Sequence, residues 1–158
     1  MIGAKRAREV YEHPSTDLQS VTDVAPERSA ELADKYRCKA VANWQTVVAD
    51  DRVNVIVVCT PNGYTAEIAV AALSAGKHVL VEKPPGRDLS ETQTLSDAAR
   101  RSGRILKVGF NHRYHPAIRA AHRHVAQGAI GDVIHVRARY GHGGRPGYER
   151  EWRANPIL

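Results

Sequence analysis

The run Val53-Asn54-Val55-Ile56-Val57-Val58-Cys59 constrains the fold most. It is almost wholly apolar and β-branched, as expected of a parallel strand covered on both faces. Thr60-Pro61-Asn62-Gly63 then reads as a turn. A helix from Thr65 to Ala75 closes on Gly76, a residue suited to the position after a helix C-terminus. His78 to Val81 reads as the next strand. Ser90 with Gln93 has the spacing of a capping box, opening a helix that ends at Ser102 before Gly103. Ile105 to Phe110 is a further apolar strand.

The preceding segment has the same rhythm. Leu18 to Asp23 reads as a short strand and Pro26 opens a helix to about Tyr36. Lys39 to Ala42 is a weak strand, and Asn43 caps a short helix over 44–49. Strand and helix joined by a few residues argue for an α/β fold with a parallel sheet and right-handed crossovers. The rhythm changes after Asn111. A helix from Pro116 to Gln127 carries Ile118, Ala121 and Val125 on one side. Ile134, Val136, Ala138 and Tyr140 then alternate with polar residues, predicting a strand of a second sheet with one wet face. The Gly-, Pro- and Arg-rich remainder from Gly141 reads as loop.

With 158 residues the chain can bury a real core, and its 42% hydrophobic and 25% charged composition is that of a globular protein. No apolar run approaches the ~20 residues that span a bilayer, and Met1 to Val10 lacks the apolar stretch of a signal peptide. The two cysteines, Cys38 and Cys59, lie in no metal or redox spacing, which favours a reduced, cytoplasmic setting. The net charge of +6 raises nucleic-acid binding as a reading. The charge is dispersed and no nucleic-acid motif accompanies it, so that reading is set aside. His112 and His115 have no acid or cysteine to complete a metal site. His122 and His124 point different ways on a helix and read as surface residues.

Glu82-Lys83-Pro84 is the clearest candidate for chemistry. A charged pair held at the end of a buried strand is poor packing, and in open α/β sheets ligands bind beyond the carboxyl ends of the strands. Thr60-Pro61-Asn62-Gly63 and Asn111-His112-Arg113-Tyr114-His115-Pro116 follow two other strands, so three segments converge on one edge of a parallel sheet. Asp23, at the end of the first strand, has two readings: a ribose acceptor favouring NAD over NADP, or an acid facing a helix N-terminus. Arg28 nearby would accommodate a 2′-phosphate.

These blocks carry a resemblance. Val-Val-Cys-Thr-Pro-Asn-Gly, Ala-Gly-Lys-His-Val-Leu-Val-Glu-Lys-Pro, Val-Gly-Phe-Asn-His-Arg-Tyr-His-Pro and Gly-Ala-Ile-Gly-Asp-Val, in this order from Leu18 to Val136, resemble the Gfo/Idh/MocA oxidoreductases. The resemblance implies a Rossmann-type NAD(P)-binding domain over residues 1–112. The start of a C-terminal substrate and oligomerisation domain follows over 113–158. It implies hydride transfer between NAD or NADP, NAD being favoured, and a sugar, polyol or related alcohol. Lys83 matches the catalytic lysine, which a closed site would desolvate, suiting it to proton transfer. Glu82 and Pro84 complete that motif, with the Lys83–Pro84 bond expected cis. Thr60, Pro61 and Asn62 match the loop along the dinucleotide, and Asn111 and Arg113 the segment near the nicotinamide. Relatives commonly form dimers or tetramers, and the exposed edge at Val133 to Tyr140 is open to pairing with a partner, a second copy being one candidate.

The sequence departs from the family pattern at both ends. Gly3 is matched to the first glycine of a G-x-G-x-x-G fingerprint, with Lys5 and Arg8 at the other two positions. Most of the first strand is lacking, although that strand lies mid-sheet in the order 3-2-1-4-5-6. Thr65 stands where relatives often have His. Trp152 to Pro156 resembles the segment just before the family's later catalytic residues. The expectation is weak or absent turnover by this chain. The rival reading is a non-catalytic nucleotide-binding remnant or assembly module.

Overall fold

A computed structural model describes residues 2–141 and 146–151. The chain divides into two compact units, one holding the described residues up to Gly109 and the other those from Phe110 onward.

The first unit alternates helix and strand in the order α1 (Ile2–Glu12), β1 (Ser20–Val21), α2 (Pro26–Tyr36), β2 (Lys39–Ala40), α3 (Trp44–Ala49), β3 (Val55–Val58), α4 (Asn62–Ser74), β4 (His78–Val81), α5 (Leu89–Ser102) and β5 (Leu106–Val108). All strand pairs are parallel: β1 with β2, and β3-β4-β5 in that order. In the doubly wound order these occupy places 2 and 3, then 4, 5 and 6. Among the described residues no strand stands between β1 and β3, and the two ladders remain separate sheets. Val55 accordingly stays 53% exposed although its sequence is that of a covered strand.

The core gathers around β3 and β4. Ile56, Val58, Val79 and Val81 pack with Ile68, Ala69, Ala72 and Leu73 of α4 and Leu95 and Ala98 of α5. Helix α4 is apolar nearly all round and lies against both sheet strands and α5, the environment such a helix requires. Its C-terminus turns at Gly76, whose φ of 77° suits glycine, and Lys77 N donates to Ala72 O at 2.9 Å. The Lys77 side chain is buried, and its Nζ donates to Asp50 O at 2.9 Å. Among the described residues no buried side-chain polar atom lacks a partner.

Helix α1 was not evident from the sequence, although Ala4, Ala7, Val10 and Tyr11 have helical spacing. It buries Ala7 and lays Tyr11 on Tyr36 of α2, the ring centroids 5.1 Å apart.

Two helix starts differ from expectation. Helix α4 begins at Asn62, so Asn62 and Gly63 belong to its first turn and not to a free loop. Helix α5 is capped by Asp88, whose Oδ1 accepts from Glu91 N at 2.9 Å, and Ser90 lies inside the helix. The earlier acid is the stronger cap because its carboxylate also favours the helix N-terminus. The Asn43 cap of α3 is present, accepting from Thr46 N at 2.9 Å.

In the second unit a 3-10 turn, Asn111–Tyr114, leads to α6 (Pro116–Ala126), which buries no residue. The strand expected over Ile134 to Tyr140 is not formed. Ile134, Val136 and Tyr140 are 97%, 76% and 84% exposed. Alternation marks a face that could be covered, but a strand also needs a neighbour to take its backbone hydrogen bonds, and none stands beside it among the described residues. The segment read as an edge open to a partner is exposed and has no neighbouring strand among the described residues. The Trp152 to Pro156 segment lies outside the described residues.

Candidate active site

The parallel register of β3, β4 and β5 brings the residues after β3 and β4 to the same edge. Glu82 N donates to Val58 O at 2.9 Å, and Gly109 N donates to Val81 O at 2.8 Å. Thr60 to Asn62 and Glu82 to Pro84 therefore leave neighbouring strands side by side. Thr60 Oγ1 lies 3.3 Å from Thr65 Oγ1, which also donates to Pro61 O, so Thr65 ties the loop to α4. Pro61 precedes α4 with no side-chain cap, which leaves the first amides of that helix without a side-chain acceptor.

The Lys83–Pro84 peptide is cis. Lys83 itself is exposed, unlike the closed site expected for it. Glu82 pairs with Arg6 of α1: Arg6 Nε donates to Glu82 Oε1 at 2.7 Å, with Arg6 Nη2 2.5 Å from the same oxygen. The side chains are 27% and 15% exposed respectively. Sequence reasoning missed Arg6, because 76 residues separate the partners and only the docking of α1 brings them together. Cys59, at the end of β3, is half-buried. Burial pushes its thiol up to about 11, the Glu82 carboxylate pushes the same way, and Arg6 opposes it.

Gly3 is not a turn glycine. It is the second residue of α1, and a Cβ there would lie 3.6 Å from Cys59 Cβ, so it sits where a small residue lets the helix approach β3. Lys5 and Arg8 are exposed on α1, and Arg8 pairs with Glu9 at 2.7 Å. Neither occupies a phosphate-facing turn. Asp23 lies two residues beyond β1. Its Oδ1 accepts from Ala25 N at 3.0 Å and stands 3.8 Å from Arg28 Nη1. The acid just before α2 and the base in its first turn are thus one pair, and both readings of Asp23 fit that position.

Asn111 and Arg113 fall in the 3-10 turn of the second unit, where both are exposed. There His115 Nδ1 accepts from Ala117 N at 3.3 Å as a helix cap, and His112 meets Tyr140 edge-on with ring centroids 5.3 Å apart. His122 and His124 are exposed. No group of three or more metal-ligating side chains occurs among the described residues. No helix among them is long and apolar enough to cross a membrane.

The first amides of α4 thus face no side-chain acceptor, and the Asp23 carboxylate lies beyond β1, in the other ladder. A family model described as an oxidoreductase family with an NAD-binding Rossmann fold, Gfo/Idh/MocA, matches residues 1–110. The chain belongs to this family. It is 32% identical over 137 residues to levoglucosan dehydrogenase of Pseudarthrobacter phenanthrenivorans, covering 86% of this chain and 33% of the relative. A solved levoglucosan dehydrogenase in complex with NADH and levoglucosan superposes with a TM-score of 0.73 at 31% identity, covering 83% of this chain and 36% of that one. The GenD2 protein of gentamicin A biosynthesis, in complex with NAD, gives a TM-score of 0.77 at 30% identity, with coverages of 82% and 37%. The chain thus spans about a third of the length of these relatives.

Proposed function

We propose that this chain forms the NAD-binding part of an oxidoreductase that moves hydride between a nicotinamide cofactor and a hydroxyl carbon of a sugar or polyol. The observation that carries the reading is the parallel β3-β4 pair, which sets Thr60 to Asn62 beside Glu82 to Pro84 beyond the strand ends. Asp23 would accept from the adenosine ribose, with Arg28 able to turn toward a 2′-phosphate. Thr60, Pro61 and Asn62 would border the dinucleotide, with the amides of α4 facing it, and Gly3 would admit α1 to the same edge. Lys83 would donate to and receive from the reacting hydroxyl. The second unit, which holds Asn111 and Arg113, we read as the beginning of the substrate domain. The cofactor, when bound, supplies the hydride acceptor or donor. Both cysteines are free thiols, which supports a cytoplasmic setting.

The exposure of Lys83 favours a second reading, cofactor binding without turnover, because a solvated ammonium gains little as a general acid or base. Titrating NADH while following Trp44 and Trp152 emission tests the binding reading, and saturable binding is expected. NAD reduction with sugars and polyols, abolished by Lys83→Met, would support the oxidoreductase. Saturable NADH binding without reduction would support the second reading, and absence of binding would overturn both.

A further inference from the structure

The contact least expected from the sequence is Arg6 with Glu82. Both Arg6 nitrogens converge on Oε1, and among the described residues no hydrogen bond reaches Oε2. The same carboxylate lies flat against the backbone at Gly109. A Cβ there would stand 3.1 Å from Cδ, Oε1 and Oε2 alike, closer than ordinary packing allows. Glu82 is therefore held from two sides, by α1 and by the residue after β5, while its own backbone is tied to β3 through Val58 O. Three elements thus fix the residue immediately before Lys83. A mostly buried carboxylate without a cation would turn outward to water, and the turn carrying Lys83 would move with it.

We propose that Arg6 is a positioning residue: by clamping Glu82 Oε1 against Gly109 it sets the Glu82–Lys83 turn relative to the N-terminal part of α1, and so aligns the lysine with the cofactor edge. This role rests on the nicotinamide-cofactor reading above. The clamp itself does not, and the two can fail separately.

The test uses the full chain with Cys38→Ser, so that Cys59 is its single thiol, and the variants Arg6→Met, Arg6→Lys and Glu82→Gln. Two quantities are measured: NADH affinity, and the rate of Cys59 alkylation at pH 9. The thiol reports on the clamp because it feels both charges with opposite sign. If Arg6 holds Glu82 in place, Arg6→Met removes the cation and lets the carboxylate turn away, so the thiol loses the larger raising influence together with the smaller lowering one, and alkylation should speed about two- to threefold. Glu82→Gln removes the carboxylate and should speed alkylation by a similar factor, while Arg6→Lys, which keeps the cation, should alkylate close to the parent rate. Slower alkylation in Arg6→Met would mean that the carboxylate stays in place without its cation, and equal speeding in Arg6→Lys would mean simple loosening of the fold; either result would overturn the clamp.

Arg6→Met and Glu82→Gln should each weaken NADH binding about tenfold, the double variant no more than the worse single, with Arg6→Lys recovering most of the loss. Unchanged NADH affinity in Arg6→Met would overturn the positioning role while leaving the cofactor reading intact. Absence of NADH binding by the parent chain would overturn that reading and the positioning role together, with the alkylation rates still deciding whether the clamp exists.

Discussion

Helices α4 and α6 have similar lengths and opposite fates. Helix α4 is apolar nearly all round, with no distinct polar face, and buries Thr65, Ile68, Ala69, Ala72 and Leu73. Helix α6 has the cleanest division into apolar and basic sides, yet Ile118 and Val125 are 54% and 45% exposed. A divided helix shows which side would be covered; it does not supply the cover. Burial in α4 follows from two strands and α5 closing around it, each already fixed by the parallel ladder.

Substitutions in the two helices give the strongest means of breaking this contrast. Leu73→Ala removes a fully buried side chain and should cost about 2–5 kcal/mol, measured as a lower urea midpoint with the slope unchanged. Ile118→Ala should stay within about 0.5 kcal/mol. A large loss at Ile118 would mean that α6 is covered in solution. Between these lies the capping test on α5. Asp88→Ala should cost about 1 kcal/mol, whereas Ser90→Ala, inside the first turn, should change stability by less than about 0.5 kcal/mol. Equal losses would restore Ser90 as the cap.

The smallest effect is electrostatic. Asp50 is held down to about 2 by hydrogen bonds from the Arg52 side chain and backbone, against an ordinary value of 3.8. A carboxyl depressed on folding stabilises the protein above its unfolded pKa. That contribution is lost as pH falls through the window from about 4 to 2. The difference in unfolding midpoint between the parent chain and Asp50→Asn should therefore shrink on acidification through that window. A difference that stays constant down to pH 2 would remove Asp50 from the acid response.

Much of the first unit was legible because its signals are local. The strands at 55–58 and 78–81 lie within β-branched and apolar runs, Gly76 and Gly103 follow helical stretches and take the positive φ such ends favour, and Asn43 stands before a helix. The helix at 2–12 is harder to read because Gly3 also fits a turn motif, although the spacing of Ala4, Ala7 and Val10 carries the helical period. The strand expected at 134–140 erred in the other direction. Its alternation is real, but a ladder is a property of two segments, and one segment's pattern cannot provide the second.

The order of residues by itself determined the α/β alternation, the parallel pairing of three strands and the placing of Thr60 and Lys83 beyond their ends. Short-range propensity and the handedness of crossovers suffice for that. Tertiary structure decided which side chains meet at that edge. Arg6 reaches Glu82 across 76 residues, and Gly109 leaves room for the carboxylate. Such contacts depend on how α1 docks and how closely two backbones approach, and neither distance is written in any local stretch of the chain.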